Sequence, residues 1–163
     1  MPTPTSPGPG QESVWDYPRP PRLEPSTERV EVWLGGECVA RTSASYRVLE
    51  TSHPPLYYLP RSAFVDGVLR RAAGSSACEW KGRASYFDLV VPSGTAARAA
   101  WTYPEPAPGF AALVDHLSVM PSAVERCVVD GETVTPQEGG FYGGWITSRV
   151  VGPFKGPPGT WGW

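Results

Sequence analysis

No stretch of this sequence runs far without a proline or a glycine: 20 prolines and 18 glycines are spread over 163 residues, roughly a quarter of the chain. Proline removes a backbone N–H and fixes φ, and glycine weakens helices by its backbone freedom, so a helical bundle or coiled coil is excluded. What remains is short extended segments joined by tight turns. The length suits one domain with a real core, since chains of this size bury about two-thirds of their unfolded surface.

Prolines are densest at the start, with eight in the first 25 residues. They deny that segment helix and regular ladder pairing, and residues 1–27 are expected to form an arm, with residues 1–12 dispensable for folding. Its second half, Val14-Trp15-Asp16-Tyr17-Pro18-Arg19-Pro20-Pro21, sets two aromatics beside a proline run. It suits an arm that covers an apolar edge of its own domain or docks on a partner.

From Glu28 the pattern changes to apolar runs at strand spacing. Glu28–Leu34, then Gly35-Gly36, then Glu37–Arg41 reads as a hairpin, with further strands over 46–50, 56–59, 82–91, 96–103, 117–120 and 124–129. Residues 63–73 and 110–116 are read as short helices. These elements predict a mainly β, compact antiparallel barrel-like domain over 28–128, with one or two short helices and long irregular tails. Residues 129–163, rich in glycine and tryptophan, are expected to pack back on that core, because so many aromatics do not suit a solvated linker.

Charge and cysteine usage narrow the function. Fourteen basic and 16 acidic residues leave a formal net charge of −2, which supplies no sequence-wide positive field for nucleic acid. No apolar stretch approaches the ~20 residues of a membrane span, and the N-terminus lacks a signal-peptide pattern, so the expected location is the cytoplasm. Cys38, Cys78 and Cys127 form no CxxC pair, and with His53 and His116 they give no paired-knuckle zinc site. No metal, no cofactor and three reduced thiols are expected. A homodimer is compatible with the sequence.

Three ordered motifs, Val48-Leu49-Glu50-Thr51-Ser52-His53-Pro54-Pro55-Leu56-Tyr57-Tyr58-Leu59-Pro60, Cys78-Glu79-Trp80-Lys81-Gly82-Arg83-Ala84-Ser85-Tyr86 and Ala100-Trp101-Thr102-Tyr103-Pro104-Glu105-Pro106, together resemble the Domain of Unknown Function 427 family over about residues 28–128. The stretch Phe141-Tyr142-Gly143-Gly144-Trp145 looks like the longer, actinobacterial-type members. The resemblance implies a β-tent fold, similar to methionine sulfoxide reductase B and the ligand-binding domain of cereblon, many of whose relatives carry zinc on cysteine knuckles that this sequence lacks. A nucleotidyltransferase label has also been attached to the family. No carboxylate pair with the Gly-Ser spacing of that chemistry occurs in the sequence.

The same motifs concentrate chemistry-bearing side chains. Glu50 and His53 stand three residues apart before two stiffening prolines, which suits a ligand clamp, an acid–base pair, or a buried pair that braces a loop. Cys78 and Lys81 are close enough for a turn to bring thiol and ammonium together, although a buried spectator thiol and a surface lysine fit the same spacing. Tyr57, Tyr58, Trp80, Tyr86, Trp101 and Tyr103 are candidate ligand-binding aromatics or core residues. The leading expectation is a small-molecule-binding domain whose aromatic-lined pocket takes a small polar or anionic molecule with a planar part. The alternatives are a small-molecule-modifying enzyme using Glu50, His53, Cys78 or Lys81, and a protein-interaction module built on the two tails.

Overall fold

The computed structural model describes residues 1–78 and 80–163; Glu79, inside the second motif, lies outside the described residues. The strands in chain order are β1 (Glu12–Ser13), β2 (Arg22–Ser26), β3 (Val30–Leu34), β4 (Glu37–Thr42), β5 (Ser45–Leu49), β6 (Leu56–Pro60), β7 (Leu69–Cys78) and β8 (Gly82–Val91). They continue as β9 (Gly94–Thr102), β10 (His116–Val119), β11 (Arg126–Val129), β12 (Glu132–Thr133), β13 (Thr135–Pro136), β14 (Trp145–Ile146) and β15 (Val150–Val151). Seven strands form one sheet in the order β2-β5-β6-β10-β9-β8-β7, and four form a second in the order β12-β11-β3-β4. Both sheets are antiparallel throughout.

The glycines at 35 and 36 take φ of 60° and 78°, the left-handed conformations that a two-residue hairpin turn between β3 and β4 demands. The fold is mainly β, as the punctuation of the sequence requires, but neither main sheet closes into a barrel. They instead face one another. Val30, Val32 and Val129 from the smaller sheet meet Leu59, Leu89, Leu117 and Val119 from the larger in one dry core. Trp145 is fully buried there, its ring tilted against Tyr57 at 5.0 Å and its Nε1–H donating to the Val119 carbonyl at 3.1 Å.

Three expectations about secondary structure differ from the structure. Residues 63–73 do not form a helix: a 3-10 turn spans Arg61–Ala63, and β7 pairs with β8 from Leu69 onward. Pairing with a strong neighbouring strand outweighs the weak helical spacing of Phe64, Val68 and Leu69. Residues 110–116 are likewise split, into a 3-10 segment over Pro108–Leu113 and the start of β10. The proline-rich segment also contributes a ladder strand, β2, with Pro25 opposite Tyr46. Proline is tolerated because β2 lies at the sheet edge.

The arm is held by charge as well as by pairing. Arg47 is 1% exposed and donates to Glu12 at 3.0 Å and to Glu24. Arg149 bridges Glu12 at 3.4 Å and Glu28 at 2.8 Å, so residues from both tails meet over one buried guanidinium. Val14 and Tyr17 pack on Leu49 and Val150 beside this network. Among the described residues, no helix is long and apolar enough to cross a membrane.

Candidate functional site

Strand alternation decides which aromatics share a face. Register pairs Tyr46 with Tyr58, Tyr58 with Ser118, Ser118 with Trp101, and Trp101 with Tyr86, giving one row across β5, β6, β10, β9 and β8. This row lies on the outer face of the large sheet, away from the core between the sheets. Tyr58, Trp101 and Tyr86 form the floor of a cavity of about 390 Å³ there.

Glu50 and His53 line the same cavity from the β5–β6 connection, Cys78 from the end of β7, Lys81 from the turn into β8, and Tyr103 from the end of β9. Two candidates lie elsewhere. Tyr57 is adjacent to Tyr58 in a strand and must point the opposite way; its ring is in the inter-sheet core and its hydroxyl donates to Glu28 at 2.8 Å. Trp80 packs beside the second apolar cluster, around Phe110 and Leu113, and does not line the cavity.

His53 closes one end. A turn joins its N–H to the Glu50 carbonyl at 3.0 Å, and its Nε2 stands 3.8 Å from the Glu50 carboxylate, which is itself held by Arg19 Nε at 3.2 Å. Burial lowers the imidazole pKa to about 4; Glu50 opposes this, while Lys155, Arg19 and Lys81 reinforce it. The ring is therefore neutral at pH 7. It meets Tyr142 edge-on at 5.4 Å.

Lys81 lines the same cavity within electrostatic reach of His53 and Glu50. It is 6% exposed, and its Nζ lies 5.7 Å from the centre of the Tyr103 ring. Burial works against its charge, but Tyr58, Cys78 and Glu50 offset this and leave its pKa above the ordinary lysine value. Burial raises the Tyr58 and Tyr103 pKa values, so both hydroxyls stay protonated at neutral pH. Trp101 Nε1–H donates to the Tyr58 hydroxyl at 3.2 Å. Tyr86 shares a 2.6 Å hydrogen bond with Ser76 and carries the Arg98 guanidinium over its ring at 4.3 Å.

The roof comes from the C-terminal extension. Gln137, Phe141, Tyr142 and Gly143 complete the lining. A Cβ at Gly143 would collide with the Trp101 ring, and one at Gly144 with Pro54 and the Gln137 side chain, so the two glycines let this segment lie directly on the sheet. Sequence reasoning singled out the Phe-Tyr-Gly-Gly-Trp run without assigning it to the site. It missed Gln137 altogether: this residue is 84 positions from His53 and carries no local signal.

Chemically the cavity joins aromatic walls to the hydrogen-bond donors of Lys81 and His53. Cys127, by contrast, is buried in the inter-sheet core, and that burial pushes its thiol pKa up. Among the described residues, no group of three or more His, Cys, Asp or Glu side chains is arranged to hold a metal ion. Comparison with known families matches residues 22–130 to a domain of unknown function (DUF427). That span includes β2 and all three motifs. No curated protein matches the chain.

Proposed function

The chain belongs to the domain of unknown function (DUF427) family, and from the geometry of its site we propose that it binds a small planar molecule carrying a polar or anionic group. One observation carries the reading: the row of Tyr58, Trp101 and Tyr86 floors a cavity of about 390 Å³ with the Lys81 ammonium buried at one end. Ring faces supply desolvated contact area, and the few convergent polar groups fix orientation, the usual construction of a small-molecule site. The free thiols Cys38, Cys78 and Cys127 suit action in a reducing compartment such as the cytoplasm.

An enzymatic reading keeps one support, the Glu50–His53 pair with Cys78 within the same cavity. The interaction-module reading draws less, because Trp15 of the arm is used within the chain, donating to the Pro153 carbonyl at 2.8 Å and meeting Trp163 at 5.7 Å. A thermal-shift screen of planar acids, amides and amines separates these readings. The binding reading expects stabilisation by one class without turnover, lost in Lys81→Met and Trp101→Leu while both variants stay folded. Product formation that disappears in His53→Gln would favour the enzyme, and no shift from any class would contradict a small-molecule site.

A further inference from the structure

The hydrogen-bond donors of this cavity point to the charge of its ligand. Resting on the reading above, we propose that the site selects an aromatic monocarboxylate, with Lys81 as counter-ion and the Nε2–H of His53 as a second donor, and that Gln137 is the positioning residue that puts the His53 proton on Nε2.

The Gln137 amide is buried and fully oriented. Its Oε1 accepts from the Gly144 N–H at 3.1 Å, and its Nε2 donates to the Lys155 carbonyl at 2.8 Å. The second Nε2 hydrogen is directed at His53 Nδ1, 3.3 Å away. Nδ1 must then be the acceptor nitrogen, and a neutral imidazole with an accepting Nδ1 carries its single proton on Nε2. The Glu50 carboxylate, 3.8 Å from Nε2, is too distant to consume that donor. The backbone N–H of Gly144, the carbonyl of Lys155 and one Gln137 side chain thus fix the tautomer of His53.

Lys81 is the only lysine or arginine among the described residues lining the cavity. Tyr58 accepts from Trp101 and so keeps its own hydroxyl hydrogen for another acceptor. Between Tyr58 and Trp101 in the register of that face, Ser118 is fully buried, and its Oγ has no hydrogen-bond partner among the described residues. Glu50, the one carboxylate among the described residues lining the cavity, is already paired with Arg19 at 3.2 Å, so the buried ammonium sets the preference for an anion over a cation, and a single such charge matches one carboxylate better than a phosphate dianion. The remaining surface is mostly apolar: the rings of Trp101, Tyr86, Tyr103, Tyr142 and Phe141, with aliphatic side chains such as Leu56 between them.

Titration calorimetry of the full chain at pH 7 with four probes of one shape, 2-naphthoate, 2-naphthamide, 2-naphthylmethylammonium and 2-naphthyl phosphate, tests the assignment. Naphthoate should bind at least about tenfold more tightly than the other three, and Lys81→Met should abolish its advantage over the amide. Equal or tighter binding of the amide, the ammonium or the phosphate overturns the carboxylate assignment while leaving the planar-ligand reading intact; no binding by any probe defeats both. The tautomer is read separately from the imidazole ¹⁵N shifts of His53. The Nε2–H form should dominate in the parent chain and give way to a tautomer mixture in Gln137→Met. A parent ring protonated on Nδ1 contradicts the role given to Gln137.

Discussion

Tyr57 and Tyr58 are consecutive, both fully buried, and have opposite fates. Tyr57 enters a core sealed by a second sheet, its ring against Trp145 and its hydroxyl spent on Glu28. Tyr58 faces the other side, where no second sheet lies, and its neighbours are Ser118, Trp101 and Lys81. The face that carries Tyr57 is mostly apolar, and its buried cation, Arg47, opposite Tyr57 in the register, is held by Glu12 and Glu24. The other carries the Lys81 ammonium beside a cavity and the Ser118 hydroxyl, and it is covered by Phe110 and Leu113 of the 3-10 segment as well as by the glycine-rich tail. Arg47 is neutralised by carboxylates of the fold, whereas Lys81 faces a cavity, and that contrast separates holding the molecule together from holding something else.

The inter-sheet face should give the largest response to substitution. Leu117→Ala, at a fully buried core position, is expected to cost about 2–5 kcal/mol in urea unfolding. A loss under about 1 kcal/mol would mean that the two faces do not differ as described. Next is the polar network at the rim of that core. Glu12→Ala removes one of the two carboxylates on buried Arg47 and should cost about 2 kcal/mol, whereas deleting residues 1–9 should cost less than about 1 kcal/mol. Burial opposes ionisation of Glu12, but the Arg47 and Tyr17 hydrogen bonds win and lower its pKa. Its contribution is therefore present above the ordinary carboxylate range and fades as the pH falls through and below it, and Glu12→Ala should flatten the acid limb of the stability profile.

On the outer face, Gly143→Ala forces a methyl into the Trp101 ring and should cost about 1–3 kcal/mol, with the C-terminal roof displaced and exchanging its amide hydrogens faster. His53 gives a pH signature of its own. An imidazole lowered from 6.5 to about 4 binds its proton more readily unfolded than folded. Stability should fall as the pH drops from 6.5 towards 4, and His53→Gln should remove that slope. The smallest change is expected one residue from the largest. Ser118→Ala should alter stability by less than about 1 kcal/mol, because the hydroxyl it removes has no partner among the described residues.

Much of the sheet was legible in the sequence, because period-two alternation and glycine or proline punctuation are local signals. The strand over 82–91 and the Gly35-Gly36 turn are where those signals were strongest. Residues 63–73 were misread as helix because β7 is defined by its partner β8, not by its own small and charged residues. The row of Tyr58, Ser118, Trp101 and Tyr86 depends on register between strands far apart in the chain, which no local pattern encodes. Alternation alone, however, already forbids Tyr57 and Tyr58 from lining one wall. The link from Gln137 to His53 depends on how the tail folds back, and nothing in either segment announces it.

The contrast between the two faces is tested most directly by mapping backbone amide shifts in a ¹H–¹⁵N spectrum while the chain is titrated with 2-naphthoate. The account predicts that saturable shifts gather on residues 76–78, 101–103, 118 and 141–144, around the outer face of the large sheet, and spare β3, β4 and β11 of the smaller one. Shifts centred on the smaller sheet, or none up to the solubility limit of the probe, would contradict it.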